Sequence, residues 1–140
     1  MVERSARRVP VAQLLHRACQ RADSLFSQAV GEAALTRSQF AVLNAVKLSG
    51  GGSQSTLVAL TGIDRSSMAD LVARLIKYGW LQRTRAQNDR RAYEVRMTAK
   101  GAAVLAAVEP AARKTSDALL APLSTAERRQ FLASLERIVE

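Results

Sequence analysis

The feature that most constrains the fold is a change of hydrophobic period after Gly79. Before this glycine, Asp64 is a natural N-cap, and apolar residues follow it at helical spacing as far as Ile76. After it, segments 80–84 and 93–97 have the character of two short β-strands around a polar turn at 86–91. The sequence therefore predicts a capped helix that leads directly into a β-hairpin.

Further helices are predicted on both sides of this pair of elements. Their starts are marked by capping residues, and their lengths by apolar residues three and four positions apart. The short third helix, a four-residue turn containing Gly62 and the helix capped by Asp64 form a helix-turn-helix, and the hairpin behind them forms a wing. The predicted helices cover 9–30, 37–48 after the Thr36–Gln39 capping box, Ser53 to Thr61, a long helix from Ala99 capped by Thr98, and a last helix after the Ser124–Glu127 capping box.

Glycines and prolines interrupt this helical pattern in two places. Residues 49–52, which include three consecutive glycines, are predicted to form a flexible turn. Pro110 removes one backbone hydrogen bond from the long helix, so we expect a kink there, and Pro122 should mark the end of that segment. The fold class is mainly α with a small β-hairpin wing.

The charge distribution limits the kinds of partner. The 140 residues include 21 Lys and Arg against 12 Asp and Glu, and residues 64–100 alone hold nine basic and four acidic side chains, a net charge of +5. Such a surface suits a polyanion, an anionic membrane surface or an acidic partner, and a solvated basic face is the alternative. The longest apolar run, Ala102–Val108, is far too short to cross a bilayer, and no signal peptide is recognisable, so we expect a cytoplasmic protein.

The residues that carry most enzyme chemistry are sparse. The chain has one His, no Gly-rich phosphate loop and no paired carboxylates at a useful spacing, so we expect neither an enzyme nor a cofactor. His16 and Cys19 are spaced as helical neighbours, but two ligands fall short of a structural zinc site. Cys19 lies among apolar positions of the first helix and is expected to be a buried, inert thiol.

Four segments together resemble a known family. They are Leu35–Leu43, Thr61–Leu75, Tyr78–Arg83 and Asn88–Arg91 with Val95–Gly101. In this order, and over essentially the whole chain, they resemble the MarR-type winged helix-turn-helix transcriptional regulators. The resemblance implies double-stranded DNA as the partner and a homodimer built by the helices at both ends. It also implies an N-terminal dimerisation helix at 1–34, a DNA-binding lobe at 35–98 and C-terminal dimerisation helices at 99–140.

The helix capped by Asp64 is the predicted recognition helix. Its first turn should reach base edges in the major groove, where Arg65 suits guanine and Ser66 and Ser67 suit either bases or phosphates. Arg74, about 15 Å further along the axis, is assigned to a phosphate. Asp70 is expected to brace an arginine rather than to read cytosine. Ser53, at the start of the third helix, completes the predicted contacts on the helices.

The predicted wing supplies the remaining DNA contacts. Arg90 and Arg91 are expected at its tip, where a guanidinium suits the narrow minor groove. By resemblance to the family, Arg91 belongs to an Asp-x-Arg motif in which Asp89 braces the arginine and does not touch DNA. An ordinary polar hairpin tip is the alternative interpretation.

The family also implies an inverted-repeat operator and a small-molecule effector. Two recognition helices related by a two-fold axis predict half-sites about 34 Å apart, and ligand binding between the lobes usually relieves repression. The expected inducer is a small aromatic or carboxylated compound, possibly a thioester, and the predicted pocket residues are His16, Phe26, Phe40 and Asn44. Two alternatives remain from the residues alone: a winged-helix protein-docking module and a nonspecific DNA-binding module without an effector.

Overall fold

The computed structural model describes residues 9–31, 35–86 and 89–140, with the backbone alone at 86 and 89–92. It contains six helices and one hairpin in the described ranges, which confirms the predicted fold class. The chain forms two compact units, a terminal unit of Met1–Gly31 with Ala112–Glu140 and a central unit of Glu32–Ala111. The elements are α1 (Val11–Val30), α2 (Arg37–Ser49), α3 (Gln54–Thr61), α4 (Arg65–Lys77), β1 (Leu81–Ala86), β2 (Asp89–Met97), α5 (Ala99–Leu120) and α6 (Thr125–Val139).

Side-chain caps set the starts of four helices at the predicted positions. Thr36 and Gln39 form a reciprocal capping box at α2, and Ser124 forms another with Glu127 at α6. Ser53 caps α3 and Asp64 caps α4, each by accepting a hydrogen bond from a backbone N–H three residues on. The helix starts predicted from these residues are therefore confirmed.

The central unit contains nearly all of the buried apolar side chains. Helices α2 and α4 contribute interior residues at helical spacing, α3 contributes Leu57, and each strand of the hairpin contributes one residue. Because these side chains are almost completely excluded from water, they fix α4 against the rest of the unit. The most deeply buried are Val42, Leu43, Val46, Leu57, Met68, Val72, Leu75, Leu81, Val95 and Leu105.

The hairpin is longer and less regular than predicted. Regular antiparallel pairing runs from Leu81 opposite Met97 to Arg85 opposite Tyr93, and the register then shifts so that Ala86 pairs with Asp89. The predicted turn at 86–91 is therefore wrong, because backbone pairing continues through Ala86 and β2 already begins at Asp89. Arg90 and Arg91 lie in the irregular part of β2 rather than at the tip, and residues 87–88 lie outside the described residues.

The glycine-rich segment before α3 forms a turn at Gly50 and Gly51, as predicted, and is then paired with the hairpin at Gly52. The Gly52 N–H donates to the Val95 carbonyl at 3.1 Å, and the Val95 N–H donates to the Gly52 carbonyl at 2.8 Å. Gly51 has φ +107°, and a Cβ there would lie 3.2 Å from the Val95 carbonyl oxygen. This two-way hydrogen bonding attaches the start of α3 to the wing.

A second set of contacts joins the end of α4 to the start of α5. The Thr98 hydroxyl donates to the Gly79 carbonyl at 2.5 Å and accepts from the Gly101 N–H at 3.0 Å, which confirms Thr98 as a cap. Lys100 Nζ donates to the Tyr78 carbonyl at 3.2 Å. These bonds satisfy carbonyl groups where α4 ends.

The terminal unit has few buried side chains. Phe26 is its one buried apolar residue among those described, and α6 has none. Cys19 is exposed, so the prediction of a buried thiol is wrong for the single chain, because the apolar stripe of α1 on which it lies is itself exposed at Val11, Leu14 and Leu15. Helix α5 continues through Pro110 and ends at Leu120, before Pro122. No described helix has both the length and the apolar character needed to cross a membrane.

Candidate nucleic-acid interface

Helix α4 has one buried face and one exposed face. Met68, Val72 and Leu75 are completely buried in the central unit. Ser66 and Asp70 are exposed on the opposite face, which continues along the helix through Ala73, Arg74 and Lys77. The buried stripe therefore determines which side chains α4 presents outward.

The N-terminus of α4 is occupied by its own cap. Asp64 Oδ1 accepts from the Ser67 N–H at 2.9 Å, and Asp64 Oδ2 accepts from the Ser67 hydroxyl at 2.8 Å. These two hydrogen bonds from Ser67, the backbone one first, lower the pKa of the Asp64 carboxyl below its ordinary value. Because the Ser67 proton is donated to Asp64, the hydroxyl has only lone pairs to offer another group in this arrangement.

Five cations of the central unit are free of internal partners. Their side chains are exposed, and they form no hydrogen bond or ion pair with any other residue that the structure describes. Arg96 differs, because its guanidinium lies 3.2 Å from the Glu94 carboxylate, and Lys100 donates to a backbone carbonyl. The five free cations are Arg65, Arg74 and Lys77 on α4 with Arg83 and Arg85 on β1.

The free cations extend the set predicted from sequence. Arg65 and Arg74 are predicted contacts, whereas Lys77, Arg83 and Arg85 are absent from that set. For Lys77 the missed signal is its position three residues after Arg74 on the exposed face of α4. For Arg83 and Arg85 the alternation of β1 gives no such signal, because it places them on the same face as the buried Leu81, and only the structure shows that they are exposed.

Asp70 does not act as the predicted arginine brace. It is exposed, and it forms no ion pair or hydrogen bond within the part of the chain that is described. Arg74 lies one helical turn further on, yet the two charges are not paired. An exposed pair of this kind is worth less than about 1 kcal/mol, so either side chain readily takes another partner.

The remaining predicted DNA contacts differ in what the structure shows of them. The hydroxyl of Ser53 is half-buried, accepts from the Thr56 N–H at 3.2 Å and lies 3.1 Å from the Thr56 hydroxyl. For Asp89, Arg90 and Arg91 the backbone lies in β2, and the side chains lie outside the described residues. The Asp89 brace therefore stays a prediction.

The family is decided by comparison with known proteins. A family model described as MarR family matches residues 35–92. The chain is 33% identical to the HTH-type transcriptional repressor NicR of Pseudomonas putida over 130 aligned residues. This alignment covers 93% of this chain and 82% of NicR. The chain belongs to the MarR family. It is therefore a winged-helix transcriptional regulator by family, and its named relatives are regulators rather than enzymes.

Two solved structures of MarR-like architecture extend the comparison to the fold. One is BpsR of Bordetella bronchiseptica, whose structure was solved to explain how 6-hydroxynicotinic acid regulates its DNA binding. BpsR is 30% identical to this chain and superimposes with a TM-score of 0.85, over 93% of this chain and 98% of BpsR. PcaV of Streptomyces coelicolor, in complex with its natural ligand, is 31% identical with a TM-score of 0.82, over 91% and 90% of the two chains.

The predicted effector residues of this MarR-family chain are divided between its two units. His16 is exposed and Phe26 is buried in the terminal unit, while Phe40 and Asn44 are half-buried in the central unit. Within the terminal unit, a cavity of about 250 Å³ is lined by Leu25, Gln28, Ala29, Lys114, Thr115 and Ala118, none of which is in the predicted set. Across the described residues, no three His, Cys, Asp or Glu side chains are placed to hold a metal ion.

Proposed function

We propose that this chain is a sequence-specific repressor that binds double-stranded DNA as a homodimer, in the cytoplasm. The observation that carries the proposal is the set of five exposed, unpaired cations on α4 and β1. Phosphate contacts dominate the affinity of DNA-binding proteins, and cations already paired within the protein contribute little to it. Membership of the MarR family supports the same function.

The proposed arrangement places α4 in the major groove and the hairpin at the minor groove. Arg65, Ser66 and Ser67 then face base edges, Arg74 faces a phosphate, and Arg90 and Arg91 extend toward the minor groove. Ser53 contributes a contact from the start of α3. A two-fold dimer repeats this set, so the operator is an inverted repeat with half-site centres about 34 Å apart.

The proposed effector is a small aromatic acid or its thioester. The support is that DNA binding by BpsR is regulated by 6-hydroxynicotinic acid, an aromatic acid, and that PcaV, which is similar in fold, binds a natural ligand. His16, Phe26, Phe40 and Asn44 are the proposed contacts. DNA affinity is titrated against a panel of aromatic acids and their thioesters, and release of DNA by one of them is expected. An unchanged affinity with every compound would remove the effector from the proposal.

The decisive experiment is a selection of binding sites from random DNA, followed by affinity measurements over a range of salt. About four phosphate contacts in each subunit predict a log–log slope near −7, at about −0.9 per contact. An enriched inverted repeat with such a slope supports the proposal. A steep slope without an enriched sequence would identify a nonspecific binder, and a slope near zero would identify a protein-docking module.

The wing contribution is tested with Arg90→Ala combined with Arg91→Ala. Loss of two cations from each subunit is expected to abolish operator binding at physiological salt without unfolding the protein. Arg113→Ala with Arg129→Ala is the matched control, because it removes the same charge from exposed positions on α5 and α6. Equal losses in the two double variants would show that only net charge matters and that the wing is not a contact.

A further inference from the structure

Asp70 lies in the middle of the exposed face of α4, between Ser66 one turn before it and Arg74 one turn after it. It is the acidic side chain on a face that otherwise carries small, hydroxyl or cationic residues. Open space of about 380 Å³ adjoins this face and is lined by Asp70, Ala73, Arg74, Lys77 and Tyr78. The carboxylate therefore borders a groove rather than packing against protein.

A carboxylate in this position gains nothing from the DNA backbone. Phosphate oxygens are negatively charged acceptors, and a carboxylate has no proton to donate to them. Bracing a neighbouring cation is the ordinary role for such a residue, but Asp70 forms no ion pair within the described parts of the chain. What remains for it in a DNA complex is a hydrogen-bond donor on a base.

The major groove offers such donors on two bases only. Cytosine presents its N4 amino group, and adenine presents its N6 amino group beside the N7 acceptor. Guanine and thymine present acceptors that repel a carboxylate. Adenine N7 also repels the second carboxylate oxygen, whereas the edge of cytosine itself carries no acceptor beside its amino group, so a carboxylate favours cytosine.

We propose that Asp70 is a specificity-determining residue that selects a cytosine in each half-site of the operator. This inference rests on the proposed function, because it requires α4 to lie in the major groove. The same carboxylate repels phosphates and so weakens binding to DNA that lacks the cytosine. Asp70 thus raises discrimination in two ways, by accepting from the right base and by opposing nonspecific contact.

The test compares the operator preferences of wild type, Asp70→Asn, Asp70→Ala and Asp117→Asn. Asp117 is an exposed, unpaired acid on α5, so Asp117→Asn is the matched loss of charge away from α4. Each protein is put through the same binding-site selection, and its affinity is then measured on operators changed at one symmetric position. Thermal unfolding of each variant checks that it is folded.

Wild type is expected to select a cytosine at one position of each half-site and to lose about tenfold in affinity per half-site when it is replaced. With Asp70→Ala this penalty should fall to within about twofold, while affinity for competitor DNA rises. With Asp70→Asn the preference should move to adenine, because an amide pairs with both N6 and N7 of that base. Asp117→Asn should retain the wild-type preference.

Three results would overturn the inference. Retention of the cytosine preference by both Asp70 variants would show that another residue reads that base. An equal loss of affinity on every sequence would show that Asp70 positions a cation instead. Failure of wild type to select any sequence would overturn the proposed function together with this inference, whereas the first two results leave the proposed function intact.

Discussion

The two units of the chain differ most in where their apolar side chains lie. In the central unit, α2, α3, α4 and the hairpin bury a core of large apolar side chains, although Leu48, Leu60, Tyr78 and Tyr93 remain exposed. In the terminal unit, seven large apolar side chains remain exposed, by between 38% and 80%. Taking such a side chain from full exposure to full burial contributes about 1.5–3 kcal/mol, and a side chain that is already half covered contributes correspondingly less. They are Val11, Leu14 and Leu15 on α1 with Phe131, Leu132, Ile138 and Val139 on α6.

Only the central unit has a complete core within one chain. The central unit has a core of its own and presents its cations outward, so its DNA-binding surface does not depend on a partner for its shape. The terminal unit leaves its apolar faces uncovered, and a second copy of the chain is the partner that membership of the MarR family favours. Substitutions in each unit test this difference.

The largest effect is expected inside the central unit, from Gly101→Ala. A Cβ at this position would lie 2.9 Å from the Trp80 carbonyl carbon and closer still to its oxygen, so α5 must shift to accommodate a methyl group. We expect a loss of about 3 kcal/mol or more in the free energy of unfolding, measured by urea denaturation. Gly62→Ala is the control, because φ is +72° there with open space around it, and it should cost about 1 kcal/mol. Equal costs would show that the junction of α4 and α5 is loosely packed.

The next effect is expected in the terminal unit, from Leu132→Glu. Leu132 is 49% exposed in the single chain, so a charge there costs little unless a second copy covers it. We expect the dimer dissociation constant to rise about 100-fold, measured by sedimentation, with the central unit still folded. Ser134→Glu places the same charge two residues on along α6, on a different face, and should leave the dimer intact. Identical behaviour of the two variants would contradict a dimer interface at Leu132.

The capping boxes, one in each unit, allow the local stability of the two units to be compared. Thr36→Ala and Ser124→Ala each remove a cap worth about 1 kcal/mol. Hydrogen exchange should show faster exchange in α2 for Thr36→Ala at any protein concentration. For Ser124→Ala, exchange in α6 should accelerate further on dilution, because the terminal unit is stabilised by dimerisation. Exchange in α6 that does not change with concentration would show that this unit is stable in a single chain.

How well the sequence predicts a feature depends on whether the interactions behind it are local or long-range. The caps at Thr36, Asp64 and Ser124 act within one helical turn, so the sequence identifies them and the helices after them. The hairpin was placed correctly, but its length and register were not, because pairing of Ala86 with Asp89 depends on backbone contacts that short apolar patterns do not encode. The bonds between Gly52 and Val95 are long-range in the same sense.

Individual side chains of the candidate site were harder to predict than the elements that carry them. The sequence identified Arg65 and Arg74 as candidate contacts, and both are exposed. The apolar stripe of α4 places Arg74 on the exposed face, whereas Arg65 lies in the first turn of the helix. It could not show that Asp70 lacks a partner. An ion pair with Arg74, four residues further along the helix, would be so weak that paired and unpaired rotamers of Asp70 have similar free energies. It also could not show the exposure of Cys19, because an apolar stripe predicts burial without identifying what covers it.

The smallest effect is expected at Asp64, where the two hydrogen bonds from Ser67 hold the carboxyl pKa below its ordinary value of 3.8. Unfolding removes these donors and restores the ordinary pKa, so the folded state favours the ionised carboxylate. This stabilisation is complete above the ordinary pKa and is lost as the pH falls through it toward the lowered folded value. Asp64→Asn keeps an N-cap, but its amide does not titrate in acid. The free energy of unfolding of wild type should therefore fall relative to that of this variant as the pH is lowered. A difference that stays constant from neutral to acid pH would show that the Ser67 bonds do not discriminate between the two protonation states. The cap of α4 would then stabilise the central unit in the same way as the neutral cap of α2 at Thr36.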